Sequence, residues 1–296
     1  MVDDYLAAPI PEIHKTLFSW VKRFTHCSWD FEACEVDALR AAGLRERDVV
    51  DWAQVASLQT WLVMSADGGG VTLDSEASRG HAVGFTRETY HSAEAGLTAA
   101  EVTAQPVMRQ APENGIAWVD TDPNNETYQE AAAWARERYG FVPNLFTAQS
   151  VSPGHYELHK EGLSLLERPQ SRSLSPRQHA MVRALISNLN RCAYSAHTTR
   201  QLLLNLSGDE ALVAALTTDY TQHDLDANDK LVLDFAAKMA RNSYKVVPED
   251  AQAFRDAGLG DEAYVDVLNT TSIQTSQDRL ANALGVTPDA QPLLPI

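Results

Sequence analysis

The 296-residue sequence predicts an all-α protein. Three observations carry that expectation. Apolar residues recur at about 3.6-residue spacing over long stretches, as along 126–139. Helix start and stop residues bracket those stretches: Ser175-Pro176 opens one, and Gly140 and Gly208 close two others. No segment shows the apolar–polar alternation of a β-strand.

An internal repeat organises the chain. Residues 39–74 align without a gap on 254–289, and 14 of the 36 positions are identical, among them Arg40/Arg255, Gly43/Gly258, Asp51/Asp266, Ser57/Ser272, Gln59/Gln274 and the Gly-Val-Thr at 70–72 and 285–287. The shared unit reads as a helix, an Ala-Gly-Leu break and a second helix. Gly43 and Gly258 stand where a helix C-cap belongs. Asp48 and Asp261 lie near the start of the following helix, where a carboxylate suits the helix dipole. Phe18 and Trp20 against Leu233 and Phe235 extend the match loosely upstream, so 15–75 reads as a second copy of 230–290. Three segments follow: an N-terminal helical half-repeat (1–75), a linker rich in Gly and Pro (76–120), and a full helical domain (121–296).

Within the last segment the elements come in order. A helix spans 126–139 and stops at Gly140; 141–144 turns; a short helix restarts at Leu145 and runs to Gln149; another covers 153–166. Ser175 as N-cap with Pro176 behind it opens a helix running toward Asn190, and a further helix from Cys192 to Leu206 ends at Gly208.

Composition narrows the function. Net charge is −16, which repels phosphate backbones and anionic membrane surfaces, so neither nucleic acid nor a membrane is an expected partner. No apolar run approaches the length of a membrane span, and Met1-Val2-Asp3-Asp4 has no signal-peptide character. Cys27, Cys34 and Cys192 are too few and too odd in number for a disulfide framework, so a reducing cytoplasm is the expected compartment.

The stretches GFVPNLFTAQSVSP, LSPRQHAMVRALISNLNRCAYSAHTT and the segment from LDFAAKMARNSYKVVPED to LANALGV together resemble the alkylhydroperoxidase-D / carboxymuconolactone decarboxylase superfamily, and within it the branch called peroxidase-related. The resemblance covers about 125–289 as one full domain; residues 15–75 resemble only its C-terminal half. It implies an alkylhydroperoxidase-D-like helical bundle, one full domain plus an N-terminal half-copy, assembled as a homo-oligomer, a dimer or higher. In that family the reactive helix carries Cys-x-x-Cys-x-x-x-His, with a Glu twelve residues before the first Cys. A thiolate attacks the peroxide, the second Cys resolves the sulfenic acid, and Glu and His relay protons. Here Cys192 matches the first Cys, but Ser195, Thr199 and Ala180 stand where the second Cys, the His and the Glu belong. Serine cannot form a resolving disulfide, and alanine and threonine are not bases at neutral pH. The two-thiol mechanism is therefore not expected to run.

Several nearby residues are candidates for a replacement chemistry. His197 lies about 140° around the helix from Cys192, while Tyr194, His197 and Gln201 share a face of their own. His179 precedes the vacant Glu position by one residue. Tyr194, His197 and His179 could act as acid/base groups, with Cys192 and Ser195 lining the pocket; Tyr194 and His197 read equally as packing or interface residues. Cys192 alone could be a single-Cys nucleophile or a buried small hydrophobe. Trp52 and Trp61, where the other copy has Val267 and Ser276, could wall an apolar substrate pocket with Thr199, or fill an interface between the copies. His155 and His159, four apart, read as an exposed polar helix face rather than metal ligands, and His26-Cys27 with Cys34 offers no complete ligand set; no metal is expected.

The combined expectation is a non-redox enzyme that needs no cofactor. It would act by acid/base chemistry on a small organic molecule through decarboxylation, isomerisation, elimination or cyclisation. The alternatives are a single-Cys peroxidase or peroxide sensor through Cys192, and a non-catalytic assembly protein.

Overall fold

The computed structural model describes residues 5–71, 111–167 and 174–294. The described residues form twelve α-helices and no β-strand. In chain order they are α1 (Glu12–Cys27), α2 (Ala33–Ala41), α3 (Glu46–Gly68), α4 (Glu126–Tyr139), α5 (Asn144–Ala148), α6 (Tyr156–Glu167), α7 (Pro176–Leu189), α8 (Ala193–Ser207), α9 (Glu210–Thr217), α10 (Ala227–Asn242), α11 (Pro248–Asp256) and α12 (Gly260–Leu284). The caps expected from sequence are formed. The Ser175 hydroxyl accepts from the Gln178 N–H at 3.2 Å with Pro176 as first helical residue, and Gly140 and Gly208 close α4 and α8 in left-handed conformation.

The repeat is structural as well as sequential. Helices α1 and α2 correspond to α10 and α11 at an offset of 215, end for end, and the 3-10 turns Ser28–Asp30 and Ser243–Lys245 fall at the same offset. Helix α12 exceeds the counterpart of α3 by one residue at each end. Polar contacts repeat too. Arg23 pairs with Glu35 as Lys238 pairs with Asp250; Arg40 Nε reaches Glu46 at 2.5 Å and Arg255 Nε reaches Asp261 at 2.7 Å. Tyr5 bonds Ser19 at 2.9 Å, and Tyr220 donates to Asp234 at 2.8 Å, so the equivalence reaches further upstream than the sequence match suggests. Ion pairs of this partly exposed kind stabilise by only about 0–1 kcal/mol. They mark common geometry rather than hold the fold.

What holds it is burial around α3 and α12. The two helices run antiparallel and in contact: Ser57 Oγ donates to the Ser276 carbonyl at 2.9 Å, Ser65 meets Ser272 at 3.1 Å, and the Tyr264 hydroxyl donates to the Gly68 carbonyl at 2.6 Å. Small side chains at these crossings let the backbones approach. One apolar cluster joins Met64 of the first copy to α7, α10 and α12; another joins Trp20, Phe24, Phe31 and Val49 to Cys192, Tyr194 and Leu280–Leu284. The two copies thus share their cores. Of the 76–120 linker, 76–110 lie outside the described residues, as do Thr72–Asp74 at the end of the first copy. Residues 111–120 bind both copies: Trp118 N–H donates to Leu284 at 2.9 Å, and Arg40 Nη2 donates to the Trp118 carbonyl at 2.8 Å. No described helix is long and apolar enough to cross a membrane.

Candidate functional site

The site grows from the junction of α7 and α8. Asn190 caps α7, Arg191 turns with φ 50°, and Cys192 is the N-cap of α8. Arg191 is the one non-glycine residue with positive φ among the described residues, a left-handed conformation that costs roughly 1 kcal/mol or more. The turn presents Cys192 and Ser195 to α12. Cys192 is fully buried, with Sγ 3.7 Å from Ser195 Oγ. Ser195 lies near the Asp278 carboxyl of α12. Asn190 Nδ2 donates to Asp278 at 3.0 Å, Gln274 Nε2 donates to it at 2.9 Å, and Gln274 Oε1 accepts from Arg183 Nε at 3.3 Å. The result is a buried polar chain from Cys192 to Arg183. Burial raises the Asp278 carboxyl to about 6 despite those donors and the nearby guanidinium. A cleft of about 410 Å³ reaches this chain at Asn190.

The sequence candidates separate. Tyr194 is buried beside Asp289, and burial and that carboxylate push its phenol well up. Asp289 accepts from Asn144 N–H at 2.7 Å and is itself raised to about 6 by burial. His179 is buried, and burial with Arg183 nearby lowers it to about 3, so it is neutral at pH 7. His197 is exposed, so it does not share the enclosure that holds Tyr194. Ala180 and Thr199 are buried, and Thr199 Oγ1 has no hydrogen-bond partner. Trp52 is exposed on α3, whereas Trp61 lines a cavity of about 50 Å³ with Gln54, His155, His159 and Gln277.

The His155/His159 pair differs from the exposed polar face expected of it. His159 stacks on Phe146 with centroids 4.7 Å apart, and its Nδ1 meets Gln149 Nε2 at 2.9 Å. His155 ends the 3-10 turn Pro153–His155 and His159 lies on α6, and both line the small cavity against α3 and α12. No group of three metal-ligating side chains occurs among the described residues.

Asp278 and Asp289 escaped the sequence reading. The signal lay in the repeat: Asp278 and Arg279 stand where the first copy has Val63 and Met64, a gain of charge in a helix that packs on every side.

These groups set opposing pH dependences. Burial lowers His159 to about 4, below its unfolded value near 6.5, so its contribution to stability is complete above about 6.5 and is lost as pH falls toward 4. The raised aspartates act the other way: their contribution is complete below about 4 and is lost as pH rises through about 6. His159→Gln is therefore expected to lose less stability than wild type between pH 6.5 and 4. Urea midpoints at both pH values check this; equal losses would remove His159 as the acid-sensitive group.

No family model and no curated protein matches the chain. Solved structures do. A peroxidase-related protein of uncharacterised function from Silicibacter sp. TM1040 is 28% identical, with a TM-score of 0.54, over 61% of this chain and 95% of its own. An alkylhydroperoxidase AhpD-core, peroxidase-related protein from Ralstonia eutropha JMP134 is 20% identical, with a TM-score of 0.51, over 66% of this chain and 98% of its own. The chain is an all-helical protein with the alkylhydroperoxidase-D-core fold, similar in structure to proteins described as peroxidase-related.

Proposed function

We propose that the chain is a non-redox enzyme of this fold that moves a proton on a small organic molecule, with Asp278 as the group that takes and returns it. The observation that carries this reading is the buried Asp278 carboxyl, held by Asn190 and Gln274 beside Ser195 with its titration moved toward neutrality. A general base works best with a pKa near the working pH, and burial is the means of bringing a carboxylate there. Tyr194, at the start of α8, lies beside the Asp289 carboxyl beyond the end of α12, a second acid/base pair. Decarboxylation, isomerisation, elimination and cyclisation of a small acid all need such a group and no thiol. Of the residues picked out from sequence, Ser195 and Tyr194 fit this role best. His179 is too weak a base at pH 7, and His197 faces outward.

The competing reading is a single-Cys peroxidase through Cys192. Its support is the position of Cys192 at the start of α8, where the helix dipole favours a thiolate. Burial does not separate the two readings, since Cys192 and Asp278 are both fully buried. The separating experiment treats the purified protein with a slight excess of cumene hydroperoxide and a sulfenic-acid trap, followed by peptide mapping. Cys192 is expected to stay unmodified while exposed Cys34 is labelled. Rapid trapping at Cys192 would favour the peroxidase and count against the proton-transfer reading.

A further inference from the structure

The cleft that ends at Asn190 lies between the two copies. It is walled by α1 and α3 on one side and by α10, α12 and the Ser243–Lys245 turn on the other. Equivalent positions face each other across it, and they are not the same residues. Arg241 answers His26, Arg279 answers Met64, and Tyr244 answers Trp29. The second copy therefore contributes two guanidiniums where the first contributes an imidazole and a thioether.

No aspartate or glutamate lines this cleft, in a chain of net charge −16. The guanidiniums are placed rather than loose. Arg241 Nη2 donates to the Leu189 carbonyl at 2.6 Å. Arg279 makes one long hydrogen bond, from Nη1 to Thr60 Oγ1 at 3.3 Å, and forms no ion pair among the described residues. Arg191 and Arg241 lie over the Trp29 ring, 5.5 Å and 5.6 Å from its centroid. Burial and the neighbouring Arg241 lower the Arg279 guanidinium to about 10, outweighing the nearby Asp278 carboxylate, which raises it. Met64, Met239, Val63 and the Trp29 ring supply an apolar wall beside the charges.

We propose that this inter-copy cleft is a binding site for a small organic anion, whose carboxylate or phosphate is taken by Arg279 and Arg241 and whose flat apolar part lies against Trp29 and the two methionines. Arginine suits this role because its planar fork grips either oxyanion with paired hydrogen bonds. The site exists only because the half-copy is present in the same chain, since one wall comes from α1 and α3. It stands apart from the reaction assigned to Asp278, because binding is read without turnover.

The test is calorimetric titration of the full chain at low salt with benzoate, phenyl phosphate, inorganic phosphate and neutral benzyl alcohol. The Trp29 indole resonance is followed in parallel. Benzoate or phenyl phosphate is expected to bind and shift that resonance, and whichever binds more tightly identifies the anionic group. Benzyl alcohol is expected not to bind. Arg279→Met, which installs the residue of the other copy, is expected to weaken binding at least tenfold, and Arg279→Lys to recover part of the loss. The proposal is overturned if benzyl alcohol binds as tightly as the anions, if no anion binds, or if Arg279→Met binds undiminished. It also fails if inorganic phosphate matches phenyl phosphate, since the aromatic wall would then contribute nothing. Should Arg279→Met not fold, the comparison of charged and neutral probes on wild type decides alone.

Discussion

Gly285→Ala is expected to destabilise the chain by about 3 kcal/mol or more, combining a left-handed penalty of roughly 1–2 kcal/mol with overpacking of roughly 1–3. Gly285 closes α12 with φ 64°, and a Cβ there would lie 2.0 Å from the Trp118 ring. Trp118 cannot simply retreat. Its N–H is bonded to Leu284, its carbonyl to Arg40, and Thr287 N–H is bonded to Ile116 at 2.8 Å. In a chain of this size a loss of that order lowers Tm by roughly 6–12 °C. Gly43 is the control: φ is 99°, nothing lies near its Cβ, and Gly43→Ala should cost only the conformational part. A double-mutant cycle with Trp118→Ala separates the two contributions, since removing the indole should abolish the overpacking part of the Gly285→Ala cost. If Gly285→Ala and Gly43→Ala melt together, the clamp of Trp118 on the end of α12 is not what stabilises the join between the copies.

Asp278→Asn is expected to lower turnover of an identified substrate by about 10²-fold or more, the usual contribution of a general acid or base. As a base, Asp278 must be ionised, so the wild-type rate should rise with pH through about 6 and level off above it. The variant should lose that inflection. Cys192→Ala should keep both the rate and the inflection, because the proposed reaction uses no thiol. Structural damage is separable from chemistry, since the variant's amide meets the donors of Asn190 and Gln274, and a thermal melt reads that cost directly. A pH profile without an inflection near 6, in a well-folded wild type, would discard Asp278 as the proton acceptor.

Much of the fold was legible in the sequence. The helix ends at Tyr139, Leu189 and Ser207 follow from local rules: Gly140 and Gly208 satisfy terminal carbonyls in the left-handed conformation, and Asn190 ends α7 before a strained turn. The repeat was legible because identical turns demand identical residues, as at Gly43 and Gly258. Part of the equivalence was not, such as the Tyr5–Ser19 and Tyr220–Asp234 contacts. There the partners differ chemically while the geometry is the same.

The candidate site was legible only in part. Spacing along α8 related Cys192, Tyr194, Ser195 and His197 to one another, but spacing has no information about what lies opposite. Asp278 comes from a helix more than eighty positions away, and Asp289 from beyond its end. Their titration depends on burial, which is a property of the packed whole. His197 and Trp52 illustrate the converse: residues with capable chemistry that the packing leaves at the surface. His155, in the 3-10 turn, and His159, on α6, both line the cavity against α3 and α12, which their spacing alone does not show.

The sequence by itself determined that the chain is helical, where most helices begin and end, and that one half-unit occurs twice. These are local properties, set by caps, turns and side-chain type. Only the tertiary structure decided that α3 and α12 cross antiparallel, and that Asp278 sits buried against Ser195. It alone also brought Arg241 and Arg279 to a cleft free of carboxylates. Those depend on contacts between residues far apart in the chain, where burial and neighbouring charge, rather than residue identity, set what a side chain can do.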